Sequence, residues 1–240
     1  MILIPGLWLD ASSWDAVVPV LEQAGHRARP LTLPGMESRD ADRSGITLRD
    51  HVDAVVAAID AADGDVVLVG HSGGGAIAHA AVDARPDLVV RVVYVDSWPI
   101  GTGGCINDEL PSDDGEVPLP DWSSFDDEDL VDLDEELRAA FQARAIPSPL
   151  QVAAGRQELS DERRYEVPVT VIACEFSSAR LREWMAQGVP QLAELAAVRD
   201  VRFIDLPTGH WPQFTRPVDL GEAIVRAATA PGAPGDISAR

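Results

Sequence analysis

Short apolar runs alternate with amphipathic stretches along the whole chain. Met1–Ile4 is an apolar run stopped by Pro5-Gly6 and predicts a buried strand followed by a turn. From Asp10 to Ala24 the apolar positions Trp14, Val17, Val18 and Leu21 fall at helical spacing, with Gly25 as the stop. His26–Leu33 predicts a second strand, closed by Pro34-Gly35. Thr47 to Ala62 opens on a capping residue and carries Leu48, Val52, Val55, Val56 and Ile59 on one helical face. Asp65–Val69, Val89–Val95, Val167–Ala173 and Val201–Leu206 predict further strands. Gly74–Ala84, Ala179–Gln187 and Val218–Thr229 predict the helices between and after them. Strands alternating with helices argue for an α/β protein with a mainly parallel sheet of about six strands flanked by helices on both faces. In such sheets the reactive side chains sit at the carboxyl ends of the strands.

The texture changes between residues 101 and 160. Residues 108–136 are dense in acids and carry Pro118 and Pro120, and Leu130–Arg144 predicts an acidic helix. We therefore read 1–100 and 161–230 as the core, 101–160 as an inserted lid or cap, and 231–240 as a flexible tail rich in proline and glycine. At 240 residues the chain fits one large domain carrying an insertion.

Composition narrows the chemistry. Acids outnumber bases 40 to 19, a net charge of −21, which argues against a nucleic-acid or anionic-membrane surface. Every base is arginine, so lysine Schiff-base, pyridoxal-lysine and phosphate-loop chemistry are excluded. Cys105 and Cys174 are far apart and form no CxxC pair, so neither a disulfide framework nor a zinc site is expected, and a reducing cytoplasm is the default compartment. The N-terminus reads as a strand and not as a signal peptide. No apolar run approaches the roughly 18 residues of a membrane span.

The most informative stretch is Asp65-Val-Val-Leu-Val-Gly-His-Ser-Gly-Gly-Gly75, in which a buried strand runs into Gly70-His71-Ser72-Gly73-Gly74 and then a helix. This is G-x-S-x-G in the strand–turn–helix context it requires. A serine on so tight a turn needs flanking positions without side chains, and it is lifted above the sheet at a helix N-terminus, where free N–H groups favour an anion. Ser72 is the candidate nucleophile.

On these residues the chain resembles the α/β-hydrolase superfamily, over nearly all of 1–230 outside the insertion. Ile4-Pro-Gly-Leu-Trp8 looks like the family's oxyanion loop, with Pro5 where a histidine is common, so the resemblance implies a fold lacking the family's first two strands. The insertion falls where that family places its lid. His210, in Leu206-Pro-Thr-Gly-His-Trp-Pro212 just past the last strand, stands where the family keeps its general base. The other histidines, His26, His51, His71 and His79, read as structural or solvated.

The acid is less plainly marked. The family usually carries it a few residues after the strand that here is Val167–Ala173, and that position falls near Ser177. Asp96, just after Val89–Val95, is the preferred candidate; some lipases and zearalenone-type lactonases place their acid there, and the order Ser72, Asp96, His210 is retained. Glu175, nearer the usual loop, is the alternative. Backbone N–H groups of Leu7 and Gly73 are the expected oxyanion donors. Trp8, Trp98, Trp122 and Trp211 are candidates for an apolar substrate wall, with a core role open for each.

The expected activity is that of a serine hydrolase that cleaves a carboxylic ester or lactone of a small, largely apolar substrate through an acyl-enzyme, with no cofactor and no metal. A cofactor-free oxygenase or perhydrolase, or a ligand-binding receptor-like member of the same fold, is the alternative. The implied partner is the small-molecule substrate, and a homodimer is left open by the sequence.

Overall fold

The computed structural model describes residues 1–229, so the tail 231–240 lies outside the described residues. The elements follow in chain order as β1 (Ile2–Ile4), α1 (Val18–Gln23), β2 (Arg29–Pro30), α2 (Leu48–Asp60), β3 (Val66–His71), α3 (Gly73–Ala84) and β4 (Val89–Val95). Between β4 and the next sheet strand lie β5 (Glu116–Val117), α4 (Glu135–Arg144), β6 (Ser148–Pro149) and α5 (Leu150–Ala153). The chain then returns through β7 (Val169–Ala173), α6 (Ser178–Ala186), α7 (Ala193–Ala197), β8 (Val201–Asp205), α8 (Pro212–Thr215) and α9 (Pro217–Thr229).

Six strands form one sheet in the order β2-β1-β3-β4-β7-β8, and every neighbouring pair is parallel. The sheet is buried on both faces, as the unbroken apolar runs require. Alternate residues divide between the two sides. Ile2, Ile4, Leu68, Val92, Tyr94, Val169 and Val171 join α2 and α3 in one cluster. Leu3, Val67, Val69, Val93, Val95 and Ile172 join Trp14, Leu21, Leu220 and Ile224 in the other, under α1 and α9. The period of two along each strand makes this division automatic.

Local chemistry explains the boundaries. Thr47 caps α2 through a reciprocal box: its hydroxyl accepts from Asp50 N–H and the Asp50 carboxylate accepts from Thr47 N–H. The helix expected over Asp10–Ala24 is divided into a 3₁₀ turn at Ala11–Trp14, capped by Asp10, and α1, which restarts with Pro19 in its first turn. Proline is tolerated there because the first-turn N–H groups have no helical acceptor. The strand expected over His26–Leu33 shrinks to Arg29–Pro30, an edge strand in which Pro30 has no N–H to donate. The acidic helix begins at Glu135, with Asp134 accepting from Leu137 N–H as its cap. Glu135 and Glu136 then sit in the first turn, where the helix dipole favours them.

Residues 101–160 contain the antiparallel pair β5–β6 together with α4 and α5. A third apolar cluster gathers Trp8, Leu9, Val117, Leu133, Phe141, Ala145, Ala153 and Trp211, so this stretch packs onto the loops at the carboxyl ends of β1 and β8. Among the described residues, no helix is long and apolar enough to cross a membrane.

Candidate active site

Four loops at the carboxyl ends of neighbouring strands converge on one point. Ser72 follows β3, Asp96 follows β4, Glu175 lies two residues beyond β7, and His210 lies in the loop after β8. The order of these strands in the sheet, β3-β4-β7-β8, sets the four side chains side by side.

Ser72 occupies the turn between β3 and α3 at φ 52°, a left-handed conformation that costs a residue with a Cβ. The turn is possible because strand and helix nearly touch at Gly70: a Cβ there would lie 2.6 Å from the Gly74 carbonyl oxygen. Two hydrogen bonds pin the turn. Ser72 N–H donates to the Val95 carbonyl at 3.2 Å, and Ser97 Oγ donates to the Ser72 carbonyl at 2.7 Å. Asp96 and Trp8 also have positive φ, 44° and 66°, so the turns after β3 and β4 and the loop after β1 all hold strained backbone.

Ser72, His210 and Asp96 form a continuous hydrogen-bonded chain. Ser72 Oγ lies 2.8 Å from His210 Nε2, and His210 Nδ1 lies 2.7 Å from Asp96 Oδ2. With Nδ1–H donating to the carboxylate, Nε2 is left as the acceptor that faces the serine hydroxyl. The second Asp96 oxygen accepts from the N–H groups of Cys174 and Glu175, each at 3.0 Å. Burial alone would raise the Asp96 pKa, but the His210 hydrogen bond and charge and these two N–H bonds outweigh it and hold Asp96 ionised. Burial likewise opposes charging His210, yet the hydrogen bond and charge of Asp96, with the nearby Glu175 carboxylate, win and raise its pKa well above 6.5.

Glu175 stands behind the same ring nitrogen, its Oε2 3.6 Å from His210 Nδ1. Of the two acids weighed from the sequence, Asp96 therefore makes the hydrogen bond, and Glu175 makes the longer contact. Oxygen and nitrogen donors of Asp96, Glu175 and His210 lie within 4.8 Å of one another, a spacing that could hold a cation. The bond from His210 Nδ1 to Asp96 already uses the ring nitrogen a metal would need.

The loop after β1 approaches the elbow closely. A Cβ on Gly6 would lie 2.9 Å from Ser72 Cβ, and one on Gly73 would lie 3.5 Å from Leu7 Cγ. Gly73 is the first residue of α3, so its N–H has no helical acceptor. Leu7 and Gly73 thus lie close to each other beside Ser72. Trp8 N–H donates to Ser148 Oγ at 2.8 Å, which ties this loop to β6.

A cavity of about 750 Å³ opens over Ser72, Gly73, Asp96 and His210, walled by Trp98, Ile100, Ile106, Pro190 and Ala193, with Glu194 also on its wall. Of the four tryptophans expected at the substrate, Trp98 lines this cavity. Trp8, Trp122 and Trp211 instead form an aromatic cluster with Phe125 and Phe141, their rings 5.3–6.0 Å apart. Trp211 is only 1% exposed, and Trp8 Nε1–H is spent on the Val117 carbonyl. Their apolar area goes to packing residues 101–160 against the loops after β1 and β8.

Two residues carry more than their sequence context showed. His71 is fully buried; its Nε2–H donates to the His210 carbonyl at 2.7 Å, and its Nδ1 accepts from Gln213 Nε2 at 3.2 Å. Burial, aided by the charge of His210, lowers its pKa to about 3, so the ring stays neutral and supports the loop that carries His210. Glu194 lies on α7, an element that no periodicity marked. Burial opposes its charge, but hydrogen bonds from His79 and Arg164 lower its pKa to about 2.

Comparison with known proteins agrees with this architecture. The model of the "Alpha/beta hydrolase family" matches residues 1–223. A pyrethroid hydrolase of Sphingobium wenxiniae is 26% identical over 259 residues, spanning 96% of this chain and 88% of its own length. A carbendazim-hydrolysing esterase of a Nocardioides species is 32% identical over 113 residues, 46% of each chain. The solved structure of an extracellular alpha/beta-hydrolase from a Paenibacillus species superposes with a TM-score of 0.74 at 22% identity, over 94% of this chain and 97% of its own, a likeness of fold.

Proposed function

The chain belongs to the alpha/beta hydrolase family, and from that premise we propose that it is a serine hydrolase cleaving a carboxylic ester or lactone of a small, largely apolar substrate through an acyl-enzyme. Hydrolysis of esters in general is supported by relatives named a pyrethroid hydrolase and an esterase. The observation that carries the reading is the unbroken chain Ser72 Oγ–His210 Nε2, 2.8 Å, and His210 Nδ1–Asp96 Oδ2, 2.7 Å.

In this reading Ser72 Oγ attacks the carbonyl carbon while His210 Nε2 takes its proton. Asp96 holds the imidazole in the correct tautomer and stabilises the imidazolium. The developing oxyanion is met by the N–H groups of Gly73 and Leu7, which are backbone donors that need no reorganisation. His210 returns the proton to the leaving alkoxide, and the acyl group stays on Ser72. Water, deprotonated by the same base, then releases the acid. For a lactone the leaving alkoxide remains tethered to the acyl group, and the product is a hydroxy acid.

Pocket shape supports an apolar acyl or alcohol group: Trp98, Ile100 and Ile106 offer carbon surface beside Ser72. Residues 101–160 supply Ile106 and Cys105 to this wall, which supports their reading as a cap that shapes substrate choice. The ionised Glu194 on the same wall disfavours an anionic substrate.

The test is a stopped-flow assay with p-nitrophenyl acetate. A burst of p-nitrophenol followed by slower turnover is expected, with mass spectrometry showing an acetyl group on Ser72. Ser72→Ala is expected to lose the burst and to reduce turnover on the order of 10³-fold or more. A Ser72→Ala protein that still turns over at the wild-type rate would sink the proposal.

A further inference from the structure

Glu175 has no part in the acyl-transfer scheme above, yet it is built into the back of the base. Its Oε2 is 3.6 Å from His210 Nδ1, and its own N–H helps hold Asp96 at 3.0 Å. Asp96 is saturated, with one oxygen on the ring and the other on two backbone N–H groups. Glu175 is 13% exposed, accepts no such pair of backbone N–H bonds among the described residues, and feels the negative charge of Asp129. Asp129 belongs to a stretch of the insertion that also grips the base. Its carbonyl accepts from His210 N–H at 2.8 Å, and the Val131 carbonyl accepts from Gly209 N–H at 3.0 Å.

We propose that Glu175 is a second acid behind the base, a positioning residue whose ionisation adds to Asp96 in holding the His210 imidazolium and so sets the pH at which the partner of Ser72 becomes neutral. The proposal rests on the serine-hydrolase reading and deepens it.

Asp96 approaches Glu175 from the end of β4, Asp129 from the insertion, and His210 from the loop after β8. Beside it the Cys174 thiol is buried and kept protonated, chiefly by desolvation. His71, under the His210 ring at 5.1 Å between centroids, is held neutral by burial. Burial first, and then the like charges of Asp96 and Asp129, raise the Glu175 pKa to about 7, against the pull of its contact with His210. Above that pH Glu175 is an anion beside a ring nitrogen that already donates to another anion. Both favour the protonated ring, and the base is freed only at higher pH.

The test compares wild type with Glu175→Gln by two readouts. One is the pH profile of kcat/KM on p-nitrophenyl acetate. The other is the ¹⁵N NMR titration of the His210 ring in histidine-labelled protein, which needs no turnover. Glu175→Gln is expected to move both the His210 titration and the rise of kcat/KM to lower pH by about one unit. Glu175→Asp, which keeps the charge at slightly longer range, is expected to restore part of the shift, and it replaces the glutamine variant should that one fail to fold. A ring titration that does not move, or an activity loss equal at every pH, overturns the proposal. A wild-type protein without ester turnover would instead count against the hydrolase reading, while the ring titration would still decide the link between Glu175 and His210.

Discussion

Asp96 Oδ2 lies 2.7 Å from His210 Nδ1, although the two residues are 114 positions apart in the chain. The contact exists because β4 sits beside β7, and β7 beside β8, in one parallel sheet. A residue at the end of β4 can therefore reach across the end of β7 to the histidine loop after β8. Glu175, which comes off β7 itself, is nearer in sequence and farther in space.

Asp96→Asn is expected to reduce kcat on the order of 10⁴-fold, because the amide can reverse the imidazole tautomer and turn Nε2 into a donor. Glu175→Gln, compared on the plateau of the pH profile, is expected to cost far less. Steady-state rates of the two variants on p-nitrophenyl acetate check the assignment. A larger loss in Glu175→Gln would make Glu175 the triad acid.

Stability is expected to fall on the acid side through His71. Its folded pKa is lowered to about 3, against 6.5 for an ordinary histidine, so the unfolded chain binds more protons between those values. The contribution is complete above the unfolded pKa and is lost as pH drops below it. Between about pH 7.5 and about pH 5.5, His71 alone should cost roughly 1.4 kcal/mol. Urea unfolding at the two pH values, in wild type and His71→Gln, checks this; the variant should lose less stability on acidification.

Trp98 and Trp211 are expected to part company under substitution. Trp211→Ala removes a side chain that is 1% exposed and should cost about 3–5 kcal/mol. Trp98→Ala enlarges the cavity over Ser72, and should change KM and the preferred acyl length with a smaller stability loss. Thermal unfolding and a series of p-nitrophenyl esters of increasing chain length separate the two effects.

Gly70→Ala is expected to damage both fold and chemistry. The added Cβ would meet the Gly74 carbonyl oxygen at 2.6 Å, which is backbone and cannot rotate away. The strain should cost about 1–3 kcal/mol or more and displace Ser72 from His210. Urea unfolding and the burst amplitude with p-nitrophenyl acetate check both consequences.

Much of the architecture is legible in the chain because its causes are local. The run Val66–His71 into Ser72-Gly73-Gly74 marks strand, turn and helix, since crowding at the turn demands glycine on either side of the serine. His210 stands out only through the resemblance, as a loop histidine after the last strand. Thr47 and Asp50 announce the start of α2 by the hydrogen bonds they exchange. Less legible was β2, which edge position and Pro30 cut to two residues, and α7, whose short stretch carries no readable period.

The chain by itself determined the alternation of strands and helices and the strained serine turn, because steric limits and apolar periodicity act between neighbours in sequence. Only the tertiary structure decided that Asp96 and not Glu175 takes the hydrogen bond of His210. It alone sent Trp8, Trp122 and Trp211 into an aromatic cluster while Trp98 faces the cavity. Those outcomes depend on which strand lies beside which and on how residues 101–160 pack against the loops at the carboxyl ends of the strands. They are distances between segments far apart in the chain, and no local pattern records them.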